Sequence, residues 1–156
     1  MSEPSVAPGP TIKEGLYSHR FQGNALDQNE TTYYLAGLGT MTITKNPVGG
    51  YSIAGLQDSV DLPLRLTGGS LVTTRSFKLV GSIDWDGAKN LWVAGITFTG
   101  TEIPVTDEMK GTFVFTRTAL ADQYWVMATG LTITLGDKLL PAEAVSGEVH
   151  RIGNLP

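Results

Sequence analysis

The chain of 156 residues contains no cysteine, which excludes disulfide bonds, thiolate metal sites and a cysteine nucleophile. Charged residues are scarce as well, because they make up 17% of the chain against roughly 25% in an average soluble protein. The net charge is −4, and the 11 lysines and arginines are scattered rather than clustered as a phosphate-binding surface requires. Nucleic acid is therefore not a predicted partner.

Helical periodicity, long apolar runs and catalytic signatures are also missing. No stretch reaches the roughly 18 consecutive apolar residues of a membrane-spanning helix. The sequence has no Gly-rich phosphate loop, no Gly-x-Ser-x-Gly motif and no His-Glu-x-x-His motif. We therefore predict no membrane partner and no cofactor, and the sequence assigns no catalytic residue.

The first eleven residues differ in composition from the rest. Met1 to Pro10 include three prolines, and they have neither the basic nor the apolar region of a secretory signal. We predict a disordered arm over residues 1–11 and one domain over residues 12–156, which is long enough to bury a single core. The expected compartment is the cytoplasm, unless a signal peptide has been removed.

The positive signal is a series of about eight short segments between Gly15 and Ile152. They are rich in Thr, Val, Ile, Leu and aromatic residues, and Gly, Asp, Asn and Pro separate them. Even spacing of this kind is typical of all-β domains. We predict a single antiparallel up-and-down β-barrel, with a two-sheet β-sandwich as the alternative.

Glycines inside the strands favour the barrel, because strongly coiled barrel strands need bends. Gly37 and Gly39 fall on the apolar face of one strand, where a missing side chain marks a bend or a close neighbour. Other glycines recur inside predicted strands at Gly55, Gly81, Gly95, Gly130 and Gly147.

Two turns and one strand carry more specific expectations. Asp86-Gly87 lies between two alternating segments and predicts a tight hairpin with positive φ at Gly87. The run from Thr106 to Glu108 is similar to the start of a helical turn. In the segment from Gln123 to Leu135, regular alternation puts one set of side chains on the same face: Trp125, Met127, Leu131 and Ile133.

Gly15-Leu16-Tyr17 in the first strand and Arg151 in the last resemble the Gly-x-Trp motif and the late Arg of the lipocalins. Lipocalins belong to the calycin group, which includes the avidins, and the allene oxide cyclase-like barrels are similar in size and strand count. In lipocalins the aromatic residue closes one end of the barrel and the Arg packs across it. The resemblance implies a calycin-like barrel that holds a ligand.

Closing such a barrel pairs the first strand with the last, which predicts a polar cluster from both ends of the chain: His19, Glu148, His150 and Arg151. Arg151 is expected near Tyr17, as a cation over an aromatic face. Two histidines and a glutamate could bind a metal ion. We assign no metal site, because surface positions explain these residues more simply.

Aromatic side chains supply much of the volume that fills or lines a barrel of eight strands. The predicted ligand-binding residues are Tyr17, Tyr33, Phe77, Trp85, Trp92, Phe98, Phe113, Trp125 and Met127. The preferred function is non-covalent binding of a small, largely apolar molecule inside the barrel. The alternatives are an isomerase or cyclase acting in the same cavity, and a structural or partner-binding domain with a packed interior. The sequence is compatible with a homo-oligomer.

Overall fold

Eight antiparallel strands form one closed barrel in the computed structural model, which describes residues 10–26, 32–64, 73–136 and 138–156. Each strand pairs with its neighbour in the chain, and the last strand pairs with the first. The strands are β1 (Gly15–Leu26), β2 (Thr32–Lys45), β3 (Tyr51–Leu64), β4 (Thr73–Asp86), β5 (Leu91–Gly100), β6 (Asp107–Arg117), β7 (Gln123–Leu135) and β8 (Lys138–Gly153).

The predicted up-and-down barrel is therefore confirmed, and the two-sheet sandwich is not the fold. The predicted closure is confirmed as well, since Tyr17 in β1 pairs with Arg151 in β8. No helix in the described part of the chain is long and apolar enough to cross a membrane. Residues 1–9 of the predicted arm lie outside the described residues.

The barrel interior is apolar and its two ends differ. We call the end that carries residues 46–50, 87–90 and 118–122 the proximal end, and the end that carries residues 101–106 the distal end. Large side chains fill the proximal half, and five of them are almost fully buried there: Tyr17, Tyr51, Trp92, Phe115 and Tyr124. A smaller cluster around Ala25, Tyr33 and Ile133 occupies the distal half.

Gly39 shows why glycine recurs inside these strands. A Cβ atom built there would lie 2.0 Å from the carbonyl oxygen of Leu56 and 2.8 Å from Cε1 of His19. The missing side chain lets His19 of β1 reach across β2 towards β3. The expectation of a close neighbour at this position is confirmed.

A β-bulge in β7 changes which side chains face inward. Thr112 of β6 pairs with Gly130, whereas Phe113 pairs with Ala128, so Thr129 is the additional residue. Regular alternation is broken there, because one extra residue moves every following side chain to the other face.

Trp125 and Met127 precede the bulge and lie on the outer face, with 55% and 59% of their surface exposed. They therefore do not line the interior as the sequence predicted, and Tyr124 and Val126 occupy the inner face instead. Ile133, after the bulge, points inward as expected.

The predicted hairpin between β4 and β5 is confirmed, and a short loop joins its two strands. Asp86 pairs with Leu91, which leaves residues 87–90 as a four-residue connection. Oδ1 of Asp86 accepts hydrogen bonds from the backbone nitrogens of Ala88 and Lys89. The positive φ, 58°, is found at Asn90 and not at Gly87. The predicted positive φ at Gly87 is therefore wrong, because Asp86 caps the loop and the left-handed residue comes at its end.

Candidate functional site

A cavity lies on the barrel axis in the distal half. Its volume is about 40 Å³, and it is partly open to solvent. The wider empty space, which includes space open to solvent, is about 510 Å³. All eight strands contribute to its lining: Phe21, Gly37, Gln57, Phe77, Phe98, Met109, Ile133 and Val145.

The predicted ligand-binding residues are distributed over four places. Phe77, Phe98 and Phe113 line the cavity. Tyr33 is buried in the smaller distal cluster. Tyr17, Trp85 and Trp92 belong to the packed proximal half, Trp125 and Met127 to the outer wall.

Three aromatic rings form one wall of the cavity. The ring centres of Phe21 and Phe113 are 5.8 Å apart and nearly parallel, and those of Phe21 and Phe98 are 6.3 Å apart and edge to face. These are the separations at which aromatic pairs attract one another beyond their burial. The wall is therefore held in place before any ligand arrives.

A chain of polar side chains crosses the otherwise apolar interior beside this wall. Nε2 of His19 is 3.0 Å from Oε1 of Gln57, and Nε2 of Gln57 donates to Oγ of Ser59 at 2.8 Å. All three residues are buried, and Gln57 and Ser59 also line the cavity. The chain therefore leads from the packed core to the edge of the cavity.

The direction of this hydrogen-bond chain follows from its chemistry. The amide oxygen of Gln57 can only accept, so Nε2 of His19 must carry the proton. Nδ1 of His19 is then an unprotonated acceptor, and it is buried without a hydrogen-bond partner. Burial lowers the pKa of His19 to about 4, although the hydrogen bond that His19 donates to Gln57 opposes this change. His19 is thus a neutral imidazole at neutral pH.

The predicted polar cluster is divided between the two faces of the barrel wall. His19 points inward, whereas His150 and Glu148 point outward, because residues at odd and even positions alternate in β1 and β8. Glu148 accepts a hydrogen bond from Arg20 at 2.8 Å and another from Gln123. The described residues contain no group of three side chains that could hold a metal ion.

Residues 10–14 close the proximal end. Ile12 is almost fully buried, and its backbone nitrogen donates to the hydroxyl of Tyr51 at 2.9 Å. Tyr17 donates to the backbone oxygen of Lys13, and burial raises the pKa of its hydroxyl. We call residues 10–14 the plug, and among its residues Ile12 is the most deeply buried in the barrel end.

Arg151 secures this plug by hydrogen bonds. Its Nε donates to the backbone oxygen of Glu14 at 3.0 Å, and one Nη donates to Asn154 at 2.7 Å. The guanidinium that stacks on an aromatic ring at this end is that of Arg117, whose Cζ lies 5.5 Å from the ring centre of Trp92.

An ion pair lies on the interior face at the distal end. Nη1 of Arg75 is 2.7 Å from Oδ2 of Asp107, and the two side chains are 28% and 9% exposed. Oδ1 of Asp107 accepts from the backbone nitrogen of Gly136 at 3.0 Å. Asp107 therefore begins β6, and the predicted helical turn is absent because its carboxylate is used across the barrel end.

The interior polar residues of β3 were not predicted from the sequence. Gln57 and Ser59 share the alternation of Tyr51 and Ile53, so they fall on the inner face of β3. Polar side chains at core positions were the signal that could have identified them, because burying such side chains requires hydrogen-bond partners.

Comparison of the chain with family models, with curated proteins and with solved structures finds no match.

Proposed function

We propose that this barrel binds a small, largely apolar molecule in its distal half. The observation that carries the proposal is an axial cavity lined by all eight strands, in which aromatic and aliphatic side chains surround a short polar edge. Binding sites for small molecules have this composition, because apolar surface supplies affinity and a few polar groups fix orientation.

Binding is favoured over the isomerase alternative by the chemistry of the lining. Acid–base catalysis needs a titratable group within reach of the substrate. Among the described residues that line the cavity none is titratable, and His19 lies behind Gln57 with its free nitrogen sealed in the core. The cavity can therefore act on a ligand through its shape and its hydrogen bonds, but not by proton transfer.

The proposal extends to a calycin-like character. Tyr17 is fully buried at the closed end, and Arg151, its partner in the adjacent strand, holds the plug there. This is similar to the lipocalin arrangement, in which an aromatic residue and a late Arg close one end while the ligand lies towards the other.

The test is a titration with cyclopentane followed by methyl NMR, using the signals of Leu131 and Ile133. We expect saturable shifts with a stoichiometry of about one, since the interior of an eight-stranded barrel has room for one small ligand. Leu131→Phe fills the cavity and should weaken binding at least tenfold. Met127→Phe, on the outer face of the same strand, is the matched control and should bind as the wild type does.

Absence of saturable shifts in the wild type, or equal weakening by both variants, would contradict binding in the axial cavity. In the first case the packed, structural interpretation would take its place.

A further inference from the structure

We infer that the ligand carries a hydrogen-bond acceptor, and that its chemical class is a small apolar carbonyl compound such as a ketone, aldehyde or ester. The inference rests on the proposed function and names the chemistry of the same cavity. It comes from the order of donors and acceptors along His19, Gln57 and Ser59.

The two oxygen acceptors of this chain each already receive one hydrogen bond. Oε1 of Gln57 accepts from His19, and Oγ of Ser59 accepts from Gln57. The hydroxyl hydrogen of Ser59 and the second amide hydrogen of Gln57 have no acceptor among the described residues. The polar edge of the cavity therefore has two hydrogens to donate.

Unsatisfied hydrogens cost more than unsatisfied second lone pairs, because an oxygen that accepts one bond is already largely satisfied. A carbonyl oxygen placed at this edge would remove the larger cost. A hydrocarbon would leave both hydrogens buried, and an ammonium or other pure donor would face them directly. The surrounding phenylalanines would then hold the apolar part of the ligand.

The direction of the chain is fixed from its buried end. Nδ1 of His19 has no hydrogen-bond partner, and a buried N–H without an acceptor costs more than a buried lone pair, so the ring proton lies on Nε2. The oxygen of Gln57 therefore faces His19, and its nitrogen faces Ser59. Gly37 makes room for the amide, since a Cβ atom there would lie 2.5 Å from Nε2 of Gln57. His19 is thus a positioning residue for the donors, not a group that touches the ligand.

The experiment compares cyclopentanone with methylenecyclopentane, which has the same shape but a CH₂ group in place of the carbonyl oxygen. Affinities of both are measured by NMR titration for the wild type, Ser59→Ala and Ser82→Ala. Ser82 lies on the outer wall of β4 and is the matched control. Cyclopentanone is hydrated more strongly in water than methylenecyclopentane, which affects a direct comparison of their affinities. The effect of one substitution on the affinity of each ligand does not contain this difference.

We expect Ser59→Ala to weaken cyclopentanone binding roughly 3- to 10-fold, the value of one neutral hydrogen bond. Methylenecyclopentane should bind the variant as well as the wild type or better, and Ser82→Ala should change neither affinity. The carbonyl stretching band of bound cyclopentanone provides a readout that does not depend on affinity. It should lie at lower frequency in the wild type than in Ser59→Ala.

Equal effects of Ser59→Ala on both ligands, or an unchanged carbonyl band, would overturn the acceptor inference while leaving the proposed binding function intact. Failure of both ligands to saturate the wild type would instead overturn the proposed function, and the inference would fall with it.

Discussion

The buried His19 makes the stability of the barrel depend on pH in a defined window. Its pKa is about 4 in the folded protein and 6.5 in an unfolded chain, so the unfolded state binds the proton more readily. Stability from this difference is fully present above pH 6.5 and is lost as the pH falls towards 4. The whole difference corresponds to about 3 kcal/mol, of which about 2 kcal/mol is lost between pH 7 and pH 5.

The assay is urea unfolding, followed by tryptophan fluorescence at several pH values between 5 and 7.5. Carboxyl groups contribute to the same curve, so the wild type is compared with His19→Gln. This variant keeps an amide donor for Gln57 but has no proton to gain. The gap between the two curves should change by about 2 kcal/mol over this range, whereas His150→Gln, on the outer face, should follow the wild type.

A direct measurement needs no variant of the buried residue. The chain has two histidines, so the ring signals of His19 and His150 can be assigned with His150→Gln alone. We expect the His19 signal to stay unchanged from pH 7 to pH 5. A midpoint near 6.5 for this signal would refute the argument, because an imidazole that takes up a proton so readily is not desolvated in the core.

Three further variants test other parts of the structure by urea unfolding. Gly39→Ala should lower the free energy of unfolding by about 1–3 kcal/mol, because its Cβ would meet a backbone oxygen. Gly95→Ala places its Cβ in open space and should leave the free energy of unfolding nearly unchanged. Equal effects of the two variants would contradict the close contact at Gly39. Asp107→Ala should lower the free energy of unfolding by about 2–3 kcal/mol, because the variant loses the hydrogen bonds of a buried carboxylate to Arg75 and to the backbone of Gly136, and a value near zero would mean that the carboxylate is solvated. Asn90→Val should cost about 1–2 kcal/mol and Asn90→Gly little; a reversed order would exclude positive φ there.

The architecture could be predicted from the sequence because it depends on regular features. Alternation of apolar and polar residues set the strands, and glycines such as Gly39 indicated close neighbours on the inner face. The pairing of the first strand with the last, which brings Tyr17 close to Arg151, followed from closure. Each of these signals is either repeated along the chain or local in sequence, so it can be recognised without knowing which residues are in contact.

The cavity edge could not be predicted in the same way. Because Thr129 is an additional residue in β7, Trp125 lies on the outer face, and no local sequence pattern predicts the bulge. Gln57 and Ser59 were readable as polar residues at core positions, but their partner His19 lies in another strand and meets them across Gly39. Such a cluster depends on register between three strands, which composition and spacing do not specify.

Closure of the eight strands also limits how copies of this chain can associate. Each described strand has a hydrogen-bonded neighbour on both sides, so none of them presents a whole free edge as a template for another chain. Growth by strand addition, the route to fibrils and to many domain-swapped dimers, would first require the barrel wall to open. An oligomer of intact barrels has to be built from side chains, and the exposed Trp125 and Met127 are the largest apolar groups that β7 offers for that purpose.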